Sequence, residues 1–132
     1  MKEQTLALIK PDAIAKNYQG KIIDDILDAG FAIKAMRMLH LGKEDAERFY
    51  AVHKKKDFFG PLVAFMTGGP TIAMLLEKEN AVEDFRELMG KTDPREAAPG
   101  TLRKKYAENM RRNAVHGSDS CQNAKKEIAF FF

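Results

Sequence analysis

Asn113-Ala-Val-His-Gly-Ser-Asp-Ser120 gathers an imidazole, an amide, two hydroxyls and a carboxylate in one short run. Asn113–His116 reads as a short strand. Asp119–Phe131, which follows, reads as a helix, with Asp119 and Gln122 spaced like a capping box. Just before it, Gly90–Asn113 holds Pro94, Pro99, Gly100 and a charged segment, Thr101–Asn109, that reads as helical. Loops of this length are uncommon inside compact domains and are often functional. Further out, the apolar run Thr5–Ile9, stopped by Pro11, predicts a buried strand. Ile22, Ile23, Ile26 and Leu27 form one stripe opposite Asp24, Asp25 and Asp28. That predicts a helix over Gly20–Gly30 with Gly30 as its stop. Phe31–Leu41 partly alternates and reads as a strand. Lys43–His53 and Phe59–Met66 read as helices flanking a polar connection. Thr71–Leu76 reads as a third buried strand, and Asn80–Met89 as a helix capped by Asn80 and stopped by Gly90. Strand and helix thus alternate four times, which fits an α/β or α+β sandwich with a long loop insertion before the last strand.

The chain has 132 residues, enough for one domain over 1–132 with a real core. Hydrophobic residues are 45% and charged residues 31%, a balance that argues against disorder. Lys+Arg number 22 and Asp+Glu 19, a net +3. So small an excess suits a local anion site better than a nucleic-acid surface. The single cysteine, Cys121, excludes an internal disulfide and a cysteine-built zinc site, and fits a reducing compartment. No apolar run approaches the ~20 residues of a spanning helix. Met1–Lys10 lacks the layout of a signal peptide, so the expected location is cytoplasmic, with no membrane partner.

A lone histidine is usually a surface or core residue, and His40 and His53 take that reading. His116 differs, because Gly117 gives the backbone room and Ser118, Asp119 and Ser120 begin a helix. Helix N-termini carry unpaired N–H groups and attract phosphate. Glu127 follows His116 by eleven residues. At about 100° per residue it falls between Ala124 and Phe131 on the apolar side of the last helix. Either it partners His116, fixing the tautomer of the ring, or it is a surface carboxylate at the edge of the stripe. Lys10, Arg86 and Arg103 come from three separate places. Singly each is a solvated charge, but converging they would suit a triphosphate. Tyr50 and Phe58 are either core residues or the cover of a flat ring such as a base.

Other phosphate motifs fail. Gly90-Lys91-Thr92 resembles the tail of a P-loop, but that loop needs glycine five positions earlier, where Phe85 stands. Gly-x-Gly-x-x-Gly and Gly-x-Ser-x-Gly are absent, and no spacing of His, Cys and acids suggests metal ligation. Any metal therefore enters with a nucleotide. A second class, a nucleic-acid or regulatory module, draws on the basic run His53-Lys-Lys-Lys56. It lacks the aromatic RNA-binding signature and leaves His116 without a role, so no specific nucleic acid is expected.

The histidine run is similar to the signature of the nucleoside diphosphate kinases. The resemblance covers essentially the whole chain. It includes Ile9-Lys10-Pro11-Asp12-Ala13, Phe58-Phe59 with Leu62-Val63, and Gly90-Lys-Thr-Asp-Pro94. It continues through Pro99-Gly100-Thr-Leu-Arg103 and Lys126-Glu127-Ile128. It implies a ferredoxin-like four-stranded antiparallel sheet with helices on one face and extra helices around it. It implies ping-pong exchange of a γ-phosphate between a nucleoside triphosphate and a diphosphate, with broad base and sugar tolerance. His116 would be the nucleophile, phosphorylated at Nδ1. Lys10, Tyr50, Arg86, Thr92, Arg103 and Asn113 match family positions around the phosphates and sugar, Lys10 with a catalytic part. Phe58 and Leu62 match the clamp on the base, and Ser118 and Glu127 match the supports of the histidine. Mg²⁺ would be held mainly by the nucleotide phosphates, with Asp119 nearby.

Two positions depart from the family pattern. Asp57 stands where proline is usual before the Phe-Phe pair, which suggests a looser entrance to the base clamp. Cys121 stands where a small apolar residue is usual. Two readings stay open for it: an oxidisable thiol whose pKa the helix start lowers, or an inert buried one. The sequence ends at Phe130-Phe-Phe132 without a polar tail, so no C-terminal brace on a neighbouring subunit is expected. In this family the long loop lies at subunit contacts, and Pro94 and Pro99 would stiffen it. A homo-oligomer is expected, a hexamer in preference to a tetramer.

Overall fold

The computed structural model describes residues 2–132. Its centre is β1 (Lys2–Ile9), whose run Thr5–Ile9 is wholly buried. The run is continuous rather than alternating because both faces of β1 are covered. Ala7 and Ile9 pack on one side with Ile22, Ile26, Phe85 and Leu102. Leu6 and Leu8 pack on the other with Tyr50, Met66 and Phe131. After β1 come α1 (Pro11–Ala15), α2 (Gln19–Asp28), β2 (Ala32–Leu39), α3 (Lys43–Phe49) and a single 3₁₀ turn, Ala51–His53. Then follow α4 (Phe59–Met66), β3 (Thr71–Glu79), α5 (Ala81–Met89), α6 (Leu102–Tyr106), β4 (Val115–Gly117) and α7 (Cys121–Phe131).

The sheet order is β2-β3-β1-β4, and every pair is antiparallel. This is the ferredoxin-like sheet, with α2 and α5 on one face and α3, α4 and α7 supplying the second layer. β4 is pinned to β1 with His116 opposite Leu8 and Gly117 opposite Ala7. Opposed residues share a face of the sheet. His116 therefore lies on the side of α3 and α7, and Gly117 on the side of α5. The pairing of β2 with β3 shifts register between Ile33 and Ala35. Among the described residues no helix is long and apolar enough to cross a membrane.

Several local expectations are corrected. Pro11 does more than stop β1: it opens the five-residue helix α1, since proline is well tolerated in the first turn of a helix. Asn80 precedes α5 but does not cap it, because it sits in left-handed backbone and its amide donates to Asp84. The Glu3 carboxylate takes the free N–H of Val82 instead. At the start of α7 the cap is Ser120, whose hydroxyl accepts from the Asn123 amide. Asp119 accepts from the Asn123 side chain. The segment Lys43–His53 is not one helix but α3 and the separate 3₁₀ turn. Cys121 is exposed rather than buried, and its thiol pKa is raised, not lowered, chiefly by the hydrogen-bonded Glu3 carboxylate.

Within the long loop, Gly90 has φ 82°. A Cβ there would lie 2.6 Å from Thr101 Oγ1, so only glycine lets the start of the insertion pack against Thr101 midway along it. Thr101 then caps α6 by accepting from the Lys104 amide.

Candidate active site

The His116 ring is held from behind. Its Nε2 lies 2.9 Å from Glu127 Oε1, and the Ser118 hydroxyl donates to that same oxygen at 2.7 Å. Ser118 is itself fixed on β1, its amide donating to the Leu6 carbonyl at 3.1 Å. A carboxylate beside Nε2 places the ring proton there and leaves the Nδ1 lone pair free. The His116 and Glu127 side chains are 25% and 21% exposed, so the pair sits at the edge of the core. Phe49 meets the ring edge-on at 5.5 Å and limits its tilt. Of the two readings of Glu127, the partner of His116 is the one observed.

His116 forms part of the wall of a cavity of about 550 Å³. Lys10, Tyr50, Phe58, Leu62, Thr92, Arg103 and Asn113 line the same cavity, together with His53, Met110, Arg111 and Val115. No aspartate or glutamate is among these wall residues. Arg86 joins from α5 through an adjoining space that it shares with Thr92 and Arg103. Asp119 and Glu127 line a further cavity that shares Tyr50, His53 and His116 with the first. The residues singled out in the sequence therefore gather around one imidazole, Ser118 from beneath it.

Two of the cations lose solvent at a cost, Lys10 buried and Arg103 half-buried. Lys10 is 6% exposed, and its ammonium donates to Asn113 Oδ1 at 2.9 Å. Burial pulls its pKa down to about 8, with Asp12 acting against the shift and Arg103 with it. Arg103 donates from its two terminal nitrogens to the carbonyls of Gly90 (3.1 Å) and Val115 (3.0 Å). It thus ties the long loop to β4 while facing the cavity. Burial, then the charge of Arg86, lowers its pKa to about 10. Tyr50 is 7% exposed, and burial, then Glu127, raises the pKa of its phenol.

Three features escape sequence reasoning. His53 reads there as an ordinary histidine, yet it lines the cavity and its ring lies 5.3 Å from that of Phe58. Asp12 does not stand out, though it is buried and accepts from the Ala114 amide. Arg103 stands out for its charge, while its bonds to carbonyls do not show. Proximity to Phe58 and to Lys10 in sequence is the available signal for the first two. Among the described residues no cluster of three or more His, Cys, Asp and Glu side chains could hold a metal. The described residues thus offer no built cation site, and the exposed Asp119, bonded to Asn123, shares the second cavity with His116.

A family model described as nucleoside diphosphate kinase matches residues 3–132. The nucleoside diphosphate kinase of a Nitratiruptor species is 59% identical over 130 residues, 98% of this chain and 95% of that protein. That of Wolinella succinogenes is likewise 59% identical, with the same coverage. The crystal structure of the Aquifex aeolicus nucleoside diphosphate kinase superposes with a TM-score of 0.98 at 43% identity, covering 100% of this chain and 96% of that one. A halophilic nucleoside diphosphate kinase from Halobacterium salinarum, solved in complex with CDP, gives 0.95 at 36% identity, covering 100% of this chain and 88% of that one. A family match over nearly every residue, relatives this similar along their length and the histidine-centred cavity agree: the chain belongs to the nucleoside diphosphate kinase family.

Proposed function

We propose that this chain moves the γ-phosphoryl group of a nucleoside triphosphate to a nucleoside diphosphate through His116. The observation that carries the reading is the His116–Glu127–Ser118 arrangement beside a cavity walled by cations and free of acids. In the first half-reaction the Nδ1 lone pair attacks the γ-phosphorus. The P–N bond forms as the bond to the bridging oxygen breaks, and the diphosphate leaves with that electron pair. The ring keeps its proton on Nε2, where the Glu127 carboxylate offsets the positive charge that develops. In the second half-reaction a terminal oxygen of another diphosphate attacks the phosphorus, and the P–N bond returns its electrons to Nδ1. One site serves both directions.

Phosphoryl transfer relies on positioning and on charges aimed at the moving group. Lys10, Arg86, Arg103 and Thr92 serve the phosphates, with Tyr50 behind them. Lys10 and Asn113, already bonded to each other, also face the sugar. Phe58 and Leu62 hold the base by stacking and apolar contact, which favours no hydrogen-bonding edge and so tolerates many bases. Mg²⁺, carried by the phosphates with Asp119 nearby, neutralises their charge when bound.

A homo-oligomer, hexameric rather than tetrameric, accompanies this reading. Its support is the unpaired edge of β2 with half-exposed Met36 and Met38, and the prolines of the long loop. Light scattering tests it. The cytoplasm, where a lone thiol stays reduced, is the proposed location. The test of the chemistry is transfer of radiolabel from γ-labelled triphosphate to the protein and then to unlabelled diphosphate. His116→Ala should bind nucleotide but take no label, and retained exchange in that variant would refute the assignment.

A further inference from the structure

Among the described residues three non-glycine positions have positive φ: Asn17, Asn80 and Ala114. Asparagine tolerates left-handed backbone, whereas alanine at φ 71° must be held there. The hold comes from a tight turn, in which the Val115 amide donates across Ala114 to the Asn113 carbonyl at 2.8 Å, and from the segment after β1. The Ala114 amide donates to Asp12 Oδ2 at 3.0 Å, and its carbonyl accepts from the Lys10 amide at 2.8 Å. Ala114 is fully buried and Asp12 is 4% exposed. On one side of Ala114, Asn113 receives the Lys10 ammonium. On the other, Val115 leads into His116 on β4. The strained residue therefore joins the amide that meets Lys10 to the strand that carries the nucleophile.

We infer that Asp12 is a positioning residue for phosphoryl transfer: its carboxylate holds Ala114 in left-handed backbone, setting Asn113 and His116 at the cavity, and supplies the negative charge that keeps the buried Lys10 ammonium protonated. The inference rests on the function proposed above. The carboxylate and the ammonium bond to adjacent residues, Asp12 to the Ala114 amide and Lys10 to the Asn113 side chain, so the two charges lie close, and Asp12 favours the protonated ammonium while Arg103 acts the other way. Other groups facing Lys10 carry no negative charge at neutral pH. Arg112 shares the Phe65 ring with it, the two cations lying 5.5 and 5.4 Å from the ring centre. His53, His116, Arg111 and Tyr50 line the same cavity. The support is mutual, since burial raises the pKa of Asp12 and Lys10 leads the groups that oppose the rise.

Asp12→Asn separates the two tasks. The amide oxygen can still accept from Ala114, but the charge is gone. The assay is kcat/KM for triphosphate against pH, which reports the free enzyme. In the unaltered chain activity should fall above pH about 8, as Lys10 loses its proton. In Asp12→Asn this alkaline limb should move down by about one pH unit, the low end of what a neighbouring opposite charge does. Asp12→Ala should show the same shift plus a further loss at every pH, because the Ala114 amide then has no acceptor. A purely structural Asp12 would lower activity without moving the limb, so a limb coincident with wild type overturns the inference. A measurement on the unaltered chain covers failure of the variants to fold. The ¹⁵N resonance of Lys10 Nζ should respond as the Asp12 carboxyl titrates in acid, and no response would also overturn it. Phosphoenzyme formation in the wild type is the control: its absence would sink the proposed function, and its presence with an unmoved limb would sink only the role of Asp12.

Discussion

Replacing Glu127 by glutamine removes one charge and little else. Oε1 meets both His116 Nε2 (2.9 Å) and Ser118 Oγ (2.7 Å), and an amide oxygen can occupy the same place and accept from both. Hydrogen bonds to charged groups contribute about 1.5–3 kcal/mol and neutral ones about 0.5–1.5, so the imidazole loses roughly 1–1.5 kcal/mol. That is about tenfold in rate, since ~1.4 kcal/mol is a factor of ten. The ring also turns cationic as the phosphoryl group arrives, which makes the charge matter more in the transition state than before it. The expected slowing is therefore between about 10- and 100-fold, reaching only the lower limit of a usual acid–base contribution. Partial exposure of both side chains keeps it from being larger. The assay is single-turnover phosphoenzyme formation at saturating triphosphate, with nucleotide affinity measured alongside. Affinity should barely change. Equal rates for Glu127→Gln and wild type would refute the reasoning and leave the observed contact without a catalytic part.

Phe58→Ala should weaken all nucleotides together by about 1–3 kcal/mol, the worth of stacking, and loss of one base alone in a panel of Kd values would reveal edge-specific readout. Gly117→Ala would place a Cβ 2.6 Å from Phe85 Cδ2 and 2.8 Å from Met89 Cε, both in the core. Overpacking of that kind costs about 1–3 kcal/mol, so Tm should fall by roughly 3–10 °C, and an unchanged Tm would mean that α5 yields freely. Arg103→Lys cannot span the carbonyls of Gly90 and Val115 with one ammonium. It should lower both Tm and kcat, and an unchanged Tm would show that the loop does not depend on this anchor.

What can be read from the sequence is set by periodicity and by chemistry close in the chain. The unbroken run Thr5–Ile9 announces a strand buried on both faces, and the stripe of Ile22 and Ile26 announces α2. Glu127 can be paired with His116 because helical rotation carries it from the start of α7 to the right side. Features fixed by distant partners are not legible. Val82 is capped by Glu3, far away in sequence, so Asn80 looks like the cap although its own backbone forbids it. Asp12 meets Ala114 only because β1 and β4 lie side by side. Nothing local marks alanine as a residue held at positive φ. The carbonyl contacts of Arg103 depend on how the long loop closes, and a charge count cannot foresee them.

The central claim is that His116 carries the phosphoryl group on the nitrogen that Glu127 leaves free. NMR of the isolated phosphoenzyme under alkaline conditions distinguishes the two phosphohistidine isomers. Phosphorus coupled to the Nδ1 side of the His116 ring is the result predicted by the 2.9 Å contact at Nε2. An Nε2-phosphohistidine, or a stable phosphoryl group on any residue other than His116, would contradict it.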